Sequence, residues 1–170
     1  MALPPVNPLI NALASGNPEG YAALYDRIGP SLLCVARVIL HAASEAEDVV
    51  QDVFVELVRH RDRLGHVQDL DAYVFAMLRN AVGKRVVRQQ TERRHLQRFV
   101  PHPARKQDAG LPDELTNALK SLPPEQREVI ALKIDGGLTF SQIAEILNVN
   151  PNTAASRYRY AIEKLREALE

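Results

Sequence analysis

The fold of this chain is decided by its last segment, residues 122–170, which read LPPEQREVIALKIDGGLTFSQIAEILNVNPNTAASRYRYAIEKLREALE. Thr139 and Gln142 have the three-residue spacing of a capping box, which opens a helix. Four apolar residues then recur with the period of one buried helix face: Phe140, Ile143, Ala144 and Leu147. A short turn follows, and Pro151 stands where a new helix tolerates proline best. The pattern predicts a helix-turn-helix whose second helix ends near Leu169.

The second helix of this pair divides into an apolar and a polar side. We expect the apolar side to face the core: Ala154, Tyr158, Ala161, Ile162, Leu165 and Leu169. The opposite side carries Asn152, Ser156, Arg159, Tyr160 and Glu163. Because the first turns of a recognition helix reach base edges, we expect Asn152, Ser156 and Arg159 to read DNA bases. Thr153 and Arg157 are better placed for phosphate. The alternative is an αα-hairpin with a solvated face, but the cap, the turn and the Pro-opened helix agree on a DNA reader.

Charge is balanced over the whole chain but not along it. The sequence has 21 Lys plus Arg and 21 Asp plus Glu, whereas an independent DNA binder usually carries a positive surplus. Residues 79–98 hold seven basic residues and one acid, and residues 44–58 hold five acids and no Lys or Arg. Opposed patches of this kind predict two partners, one polyanionic and one basic.

Helical periodicity extends through residues 18–98, with no strand-like alternation of any length. Asn17 and Pro18 predict a helix start, and Gly29-Pro30 is expected to interrupt that helix before a restart at Ser31. Its predicted buried stripe consists of Tyr21, Leu24, Tyr25 and Ile28.

A second capping box, Ser44 with Glu47, is expected to open an acidic helix. Its predicted inner side consists of Ala46, Val49, Val50, Val53, Phe54, Leu57 and Val58. A polar loop, residues 61–68, precedes a long helix that begins near Asp69. Proline and glycine then predict a linker. We therefore expect an all-α fold of two small helical domains, 18–98 and 112–169, joined by a flexible linker, 99–111.

Composition disfavours several classes of protein. No apolar run is long enough to span a membrane, and residues 1–16 lack the basic start of a secretory signal. The single Cys34 lies in an apolar stretch, so we expect a buried thiol and no disulfide or Cys-based zinc site. These features favour a cytoplasmic protein. Glu45, Asp48 and Asp52 share a helix face that could hold Mg²⁺, but no phosphate loop accompanies them. We expect no metal, no cofactor and no enzymatic activity.

Four stretches of the chain resemble a bacterial RNA polymerase sigma factor of the small, two-domain extracytoplasmic-function type. They are ALYDRIGPSLLCVARVIL, SEAEDVVQDVFVELV, LDAYVFAMLRNAVGKRVVR and the segment from Leu122 onward. Together they cover most of residues 20–98 and 112–169. The resemblance implies a protein that binds core RNA polymerase and promoter DNA and directs promoter-specific initiation of transcription. It leaves open whether an anti-sigma protein is a further partner.

The resemblance also implies a role for each block of residues. The acidic helix would dock on basic helices of the polymerase through Glu45, Asp48, Gln51, Asp52, Val55 and Glu56. The loop and the long helix would engage and open the minus-ten element through Arg61, His66, Gln68, Arg79, Asn80, Lys84, Arg85 and Arg88. The helix-turn-helix would read the minus-thirty-five element through Thr139, Asn152, Thr153, Ser156, Arg157, Arg159 and Tyr160.

Two positions depart from the pattern common in the family. Lys84 stands four residues after Asn80, where an acidic residue is frequent, and Ala155 stands where Lys or Arg is frequent. Base preference therefore does not transfer. A stand-alone helix-turn-helix regulator remains the alternative function. It would not need a separate acidic helix, and it would usually dimerise to match paired half-sites.

Overall fold

The computed structural model describes residues 7–96 and 112–170, and within these ranges the chain folds into α-helices. They are α1 (Pro8–Ala14), α2 (Pro18–Leu40), α3 (Ala43–Arg59), α4 (Leu70–Leu96), α5 (Asp113–Ser121), α6 (Pro124–Ile134), α7 (Phe140–Leu147) and α8 (Pro151–Leu169). A 3₁₀ segment, Arg61–His66, connects α3 to α4. The predicted all-α class is confirmed. The linker predicted at 99–111 lies outside the described residues.

The N-terminal unit consists of α1 to α4 and the 3₁₀ segment. In it α2 packs against α3 and α4, and α3 packs against α4. Its largest fully buried side chains are Leu13, Leu24, Leu32, Leu57, Leu64, Phe75 and Leu78. Burying several side chains of this size supplies the main favourable free energy of folding. Helix α1 precedes residue 18, where the sequence predicted this domain to begin, yet its Leu13 belongs to the same core.

Helix α2 continues through the predicted break at Gly29-Pro30, so that expectation is wrong. Pro30 lies on the exposed side of the helix, and the carbonyl that loses its donor belongs to the exposed Asp26, where water can replace it. The predicted capping box of α3 is also wrong. The helix begins at Ala43, and the N-cap residue Ala42 makes no side-chain bond.

Three side chains of the N-terminal unit that were expected to be buried are exposed. Tyr25 is 44% exposed, although its ring packs edge-on against Phe54, and Val58 is 42% exposed. Cys34 is exposed as well. The buried residues of α2 next to it, Leu32 and Val35, lie on the side that faces the core, and Cys34 points away from that side.

The C-terminal unit consists of α5 to α8, and its helix-turn-helix forms as predicted. The Thr139 N–H donates to Gln142 Oε1 at 2.8 Å, and the Gln142 N–H donates to Thr139 Oγ1 at 3.2 Å. Asn148 closes α7 in the left-handed region with φ 52°, and Asn150 caps α8 by accepting from the Asn152 N–H at 2.8 Å. The expected apolar face of α8 is buried at Ala154 and Ala161 but exposed at its end, where Leu169 is 48% exposed.

The two units pack against each other. Helix α2 contacts α6, and α4 contacts α7, so the apolar residues of both units form one continuous buried cluster. The sequence predicts two domains but carries no signal for contacts between them.

Candidate functional site

The acidic side of α3 is exposed to different degrees along the helix. Asp48, Gln51, Asp52 and Val55 are exposed, whereas Glu45 and Glu56 are half-buried. Val55 is 48% exposed, so the outer face combines carboxylates with an apolar side chain. Such a face can meet a basic partner and still bury apolar area in the contact.

Several of these carboxylates already have partners within the chain. The Asp48 carboxylate accepts from Arg85 on α4 at 3.0 Å, and Glu45 accepts from Gln89. Glu56 accepts from Arg59 at 2.9 Å and lies 3.1 Å from His60. The hydrogen bond from Arg59 is the main reason that the pKa of Glu56 lies below its usual value. Asp52, at the middle of this face, also has an exposed carboxylate.

A surface groove of about 510 Å³ lies where α3 and α4 meet. Its walls include Asp52 and Glu56 from α3 and, from α4, Asn80, Lys84, Arg85 and Arg88. The acidic and basic patches, which are separate in the sequence, therefore stand on the two sides of one groove. The sequence predicted two opposed patches, but it did not predict that they would be neighbours in the fold.

The basic residues of α4 differ in their surroundings. Lys84 and Arg88 are exposed, with Arg88 donating to Glu92 at 2.8 Å. Arg85 is half-buried because it reaches across to Asp48. Arg79 faces α6 of the other unit, where its Nε lies 3.9 Å from a carboxylate oxygen of Glu128. Three of the predicted DNA contacts, Arg79, Arg85 and Arg88, therefore have acidic partners within the chain.

The predicted promoter-opening loop is the 3₁₀ segment and the two residues that follow it. Arg61, His66 and Gln68 are exposed, whereas Leu64 is fully buried. Asp69 ends the loop and caps α4 by accepting from the Ala72 N–H at 3.0 Å. This connection has an exposed polar side and an apolar side on which Leu64 is buried and Val67 packs against the core.

The predicted reader residues lie on the first three turns of α8, except Thr139, which is the N-cap of α7. Thr139, Asn152, Thr153, Arg159 and Tyr160 are exposed, and Ser156 and Arg157 are half-buried. The Arg159 guanidinium lies 5.2 Å from the centre of the Tyr160 ring. Arg157 is close enough to Glu128 for its charge to lower the pKa of that carboxyl, against the larger opposite effect of burial.

Polar contacts between the described parts of the two units include three that no pattern in the sequence predicted. Gln142, which closes the capping box of α7, also donates to Asp69 Oδ2 at 2.7 Å. Arg79 pairs with Glu128. Arg127 on α6 lies against His41 and also donates to the carbonyl of Leu122 at 3.0 Å. His41 is the C-cap residue of α2.

Titration of His41 is expected to weaken the contact between the units. Burial, followed by the charges of Arg127 and Lys120, lowers the pKa of His41 from an ordinary 6.5 to about 4. At neutral pH the ring therefore accepts from Arg127. Since the folded pKa lies below the unfolded one, the stabilisation is complete above pH 6.5 and declines as the pH falls towards 4.

A His41→Gln variant keeps an acceptor and cannot titrate in this range. We expect its thermal midpoint to fall less than that of the wild type between pH 6.5 and pH 4. Parallel stability curves for the two proteins would show that His41 does not titrate at the contact. An NMR titration of the His41 ring gives its pKa directly.

Two other kinds of feature are absent from residues 7–96 and 112–170. These ranges contain no cluster of three or more His, Cys, Asp or Glu residues that could hold a metal ion. Nor does any helix within them have the length and apolar character needed to cross a bilayer.

Comparison with known proteins identifies the two units separately. Residues 24–92 match the family model described as Sigma-70 region 2, and residues 113–165 match Sigma-70, region 4. The first range contains α3 and most of α4, with the groove between them. The second contains the helix-turn-helix.

Individual proteins match over nearly the whole chain. The ECF RNA polymerase sigma factor SigL of Mycobacterium tuberculosis is 28% identical over 163 residues, which are 87% of this chain and 88% of SigL. SigK of Mycolicibacterium vanbaalenii, also an ECF RNA polymerase sigma factor, is 28% identical over 173 residues, covering 95% of this chain and 87% of SigK.

Solved structures agree with this match. CnrH, in a complex with the cytosolic domain of CnrY, superimposes with a TM-score of 0.71 at 26% identity and covers 95% of this chain and 94% of CnrH. The sigma factor RpoE of Bartonella quintana, in a complex with the anti-sigma factor NepR, gives 0.70 at 25% identity, covering 89% of this chain and 97% of RpoE. With both sigma-70 regions in order and a shared fold, the chain belongs to the ECF sigma factors of RNA polymerase.

Proposed function

We propose that this sigma factor uses three separate surfaces. Helix α3 binds core polymerase, and the 3₁₀ segment and α4 open the promoter. Helices α7 and α8 read the upstream element. The observation that supports this division best is the placement of an acidic face, a basic helix and a helix-turn-helix in one short chain. A stand-alone regulator would need only the last of these. No observation favours that alternative.

Transcription with purified components tests the function as a whole. Core polymerase together with this chain should synthesise RNA from a cognate promoter, whereas neither component should do so alone. A dimer of the chain that binds paired half-sites and gives no transcript with core polymerase would instead support the stand-alone regulator.

For polymerase binding, we propose the exposed centre of α3 as the contact. Asp52 and Val55 provide a carboxylate and an apolar side chain side by side. Glu45, Asp48 and Glu56 are bonded to side chains of the same unit. They would hold the face in shape while adding negative potential that attracts a basic partner.

For promoter opening, we propose that Lys84 and Arg88 follow the phosphate backbone while Arg61, His66 and Gln68 surround an unstacked base. Lys84, Arg88 and the three loop residues are exposed. Bases that are displaced from a duplex are held by stacking and polar contacts in this manner. Arg79 and Arg85 would join the DNA contact after exchanging Glu128 and Asp48 for phosphate.

For upstream recognition, we propose that Arg159 reads a base edge. Arg159→Ala is expected to cost about 1 to 3 kcal/mol of discrimination at one base position if it pairs with guanine. The matched variant Arg157→Ala, on the same helix, should weaken binding to all sequences alike through loss of a phosphate contact. Affinities for a set of single-base promoter variants measure both effects. Equal losses on every sequence for both variants would assign Arg159 to the backbone instead.

We also propose the domain division 18–98, 99–111 and 112–169, with α1 packed onto the first of these domains. A cytoplasmic location, no enzymatic activity and control by an anti-sigma protein are further proposals. The last proposal rests on the solved relatives CnrH and RpoE, whose structures contain CnrY and NepR. A pull-down would test whether a candidate protein encoded beside this factor binds to it. Such a protein should also inhibit the transcription that this factor directs with core polymerase.

A further inference from the structure

The 3₁₀ segment has little means of holding its own shape. It contains six residues, and because the hydrogen bonds of a 3₁₀ helix have poorer geometry than those of an α-helix, runs longer than three or four residues are uncommon. Leu64 is its one buried residue, with none of its side chain exposed. The conformation of the segment therefore depends on what Leu64 packs against.

Helix α1 supplies that packing. The helix contacts the 3₁₀ segment extensively, and Leu64, Ile10 and Leu13 all belong to the buried core of the molecule. Leu13 is completely buried although it lies in a helix of only seven residues. An isolated helix of this length is unstable in water, so α1 forms because it is buried between the segment and α2.

The far side of α1 is fixed to α2. The Tyr21 hydroxyl donates to the Leu13 carbonyl at 2.9 Å, and the Asn17 N–H donates to the Ala12 carbonyl at 2.9 Å. Gly20 allows a close approach, since a Cβ at this position would lie 2.8 Å from the Ala12 Cβ. The last turn of α1 therefore has a defined position on α2.

The turn after α1 also meets the first residue of the 3₁₀ segment. Gly16 has φ +76°, and a Cβ there would lie 3.2 Å from Nη1 of Arg61. Burial raises the pKa of Tyr21, and the nearby charge of Arg61 opposes that rise. The Arg61 side chain thus extends along a surface formed by α1 and the start of α2.

We propose that α1 is a positioning element for promoter opening. It holds the 3₁₀ segment, through Leu13, in the conformation that directs the exposed Arg61 and His66 towards DNA. Leu13 itself contacts no DNA and acts through the segment. The inference rests on the proposed function of that segment, but it assigns a role to residues that lie outside the matched sigma-70 regions.

The experiment compares Leu13→Ala with Leu32→Ala, since both leucines are fully buried in the N-terminal unit. Each variant is combined with core polymerase on a cognate promoter, and permanganate reactivity of thymines follows opening. If the two variants have equal thermal stability, Leu13→Ala should open the promoter about tenfold more slowly than Leu32→Ala. On a promoter with a preformed bubble at the minus-ten element, the difference between the two variants should disappear.

A second pair of variants tests the same idea without removing a core side chain. Gly20→Ala should push α1 away through the Ala12 methyl group and slow opening several-fold. Ala12→Gly in the same chain should restore the rate, because the opposing methyl group is then gone. If Ala12→Gly does not restore the rate, the slowing by Gly20→Ala does not come from the contact between α1 and α2.

The outcomes separate this inference from the proposed function. Equal slowing by Leu13→Ala and Leu32→Ala, or normal opening by the α1 variants, would overturn the positioning role of α1. If opening survives replacement of the exposed residues of the 3₁₀ segment itself, the segment does not open the promoter, and the proposed function of that surface fails first.

Discussion

Replacing the exposed residues of the 3₁₀ segment is expected to abolish promoter opening while leaving closed complexes intact. The change is Arg61, Asp62, Arg63 and His66 to Ser or Gly, with Leu64 retained. Leu64 is buried, and its loss would disturb the N-terminal unit as a whole. The substituted residues are all exposed, so the fold should survive and only the contacts to the unstacked base should be lost.

Permanganate footprinting measures the opening, and gel-shift of the holoenzyme at low temperature measures the closed complex. A matched control is Lys164→Ser with Glu167→Ser, which changes exposed residues in the last turns of α8. The control should keep normal thymine reactivity. Undiminished reactivity in the 3₁₀ variant would place strand opening elsewhere in the chain.

Helix boundaries were predictable wherever one residue and its near neighbours supply the cap. Asn17, Thr139 and Asn150 all accept backbone N–H groups at the starts of their helices. Ser44 has the same local sequence pattern, yet α3 begins before it. A cap of this kind contributes only about 1 kcal/mol, so the packing of α3 against α2 and α4 can override it.

Contacts between distant residues were not predictable from one sequence. Gln142 was identified for its capping box, but its second bond, to Asp69, spans 73 positions. The contact of Arg127 with His41 spans 86. Nothing in the period of either helix indicates such a partner, because periodicity reports which side is buried and not what covers it.

The neutral net charge comes from equal numbers of basic and acidic residues, 21 of each. The structure shows that some of these opposite charges pair with each other within the chain. Arg85 pairs with Asp48, and Arg79 pairs with Glu128. The basic helix α4 is thus partly neutralised by acids from both units, and free protein is expected to bind duplex DNA weakly. Polymerase binding would have to release these acids for α4 to present its full charge.

Reversing the charge of α3 is expected to weaken binding to core polymerase by about 2 kcal/mol or more, which corresponds to roughly thirtyfold in Kd. The change is Asp48→Lys together with Asp52→Lys, which places like charges against a basic partner. Both side chains are exposed, so the helix should still fold. The variant loses an exposed pair with Arg85, which contributes at most about 1 kcal/mol to stability.

Asp48 complicates this test because its carboxylate also forms an ion pair with Arg85. Asp52→Lys alone changes the exposed centre of the face without breaking that pair, and it should produce most of the loss in polymerase binding. Adding Arg85→Glu to the double variant restores an internal ion pair, now with the lysine introduced by Asp48→Lys. If that triple variant recovers polymerase binding, the loss came from a distorted α3–α4 groove. If binding stays weak while Asp26→Lys, an exposed reversal on α2, binds normally, the acidic face itself is the contact.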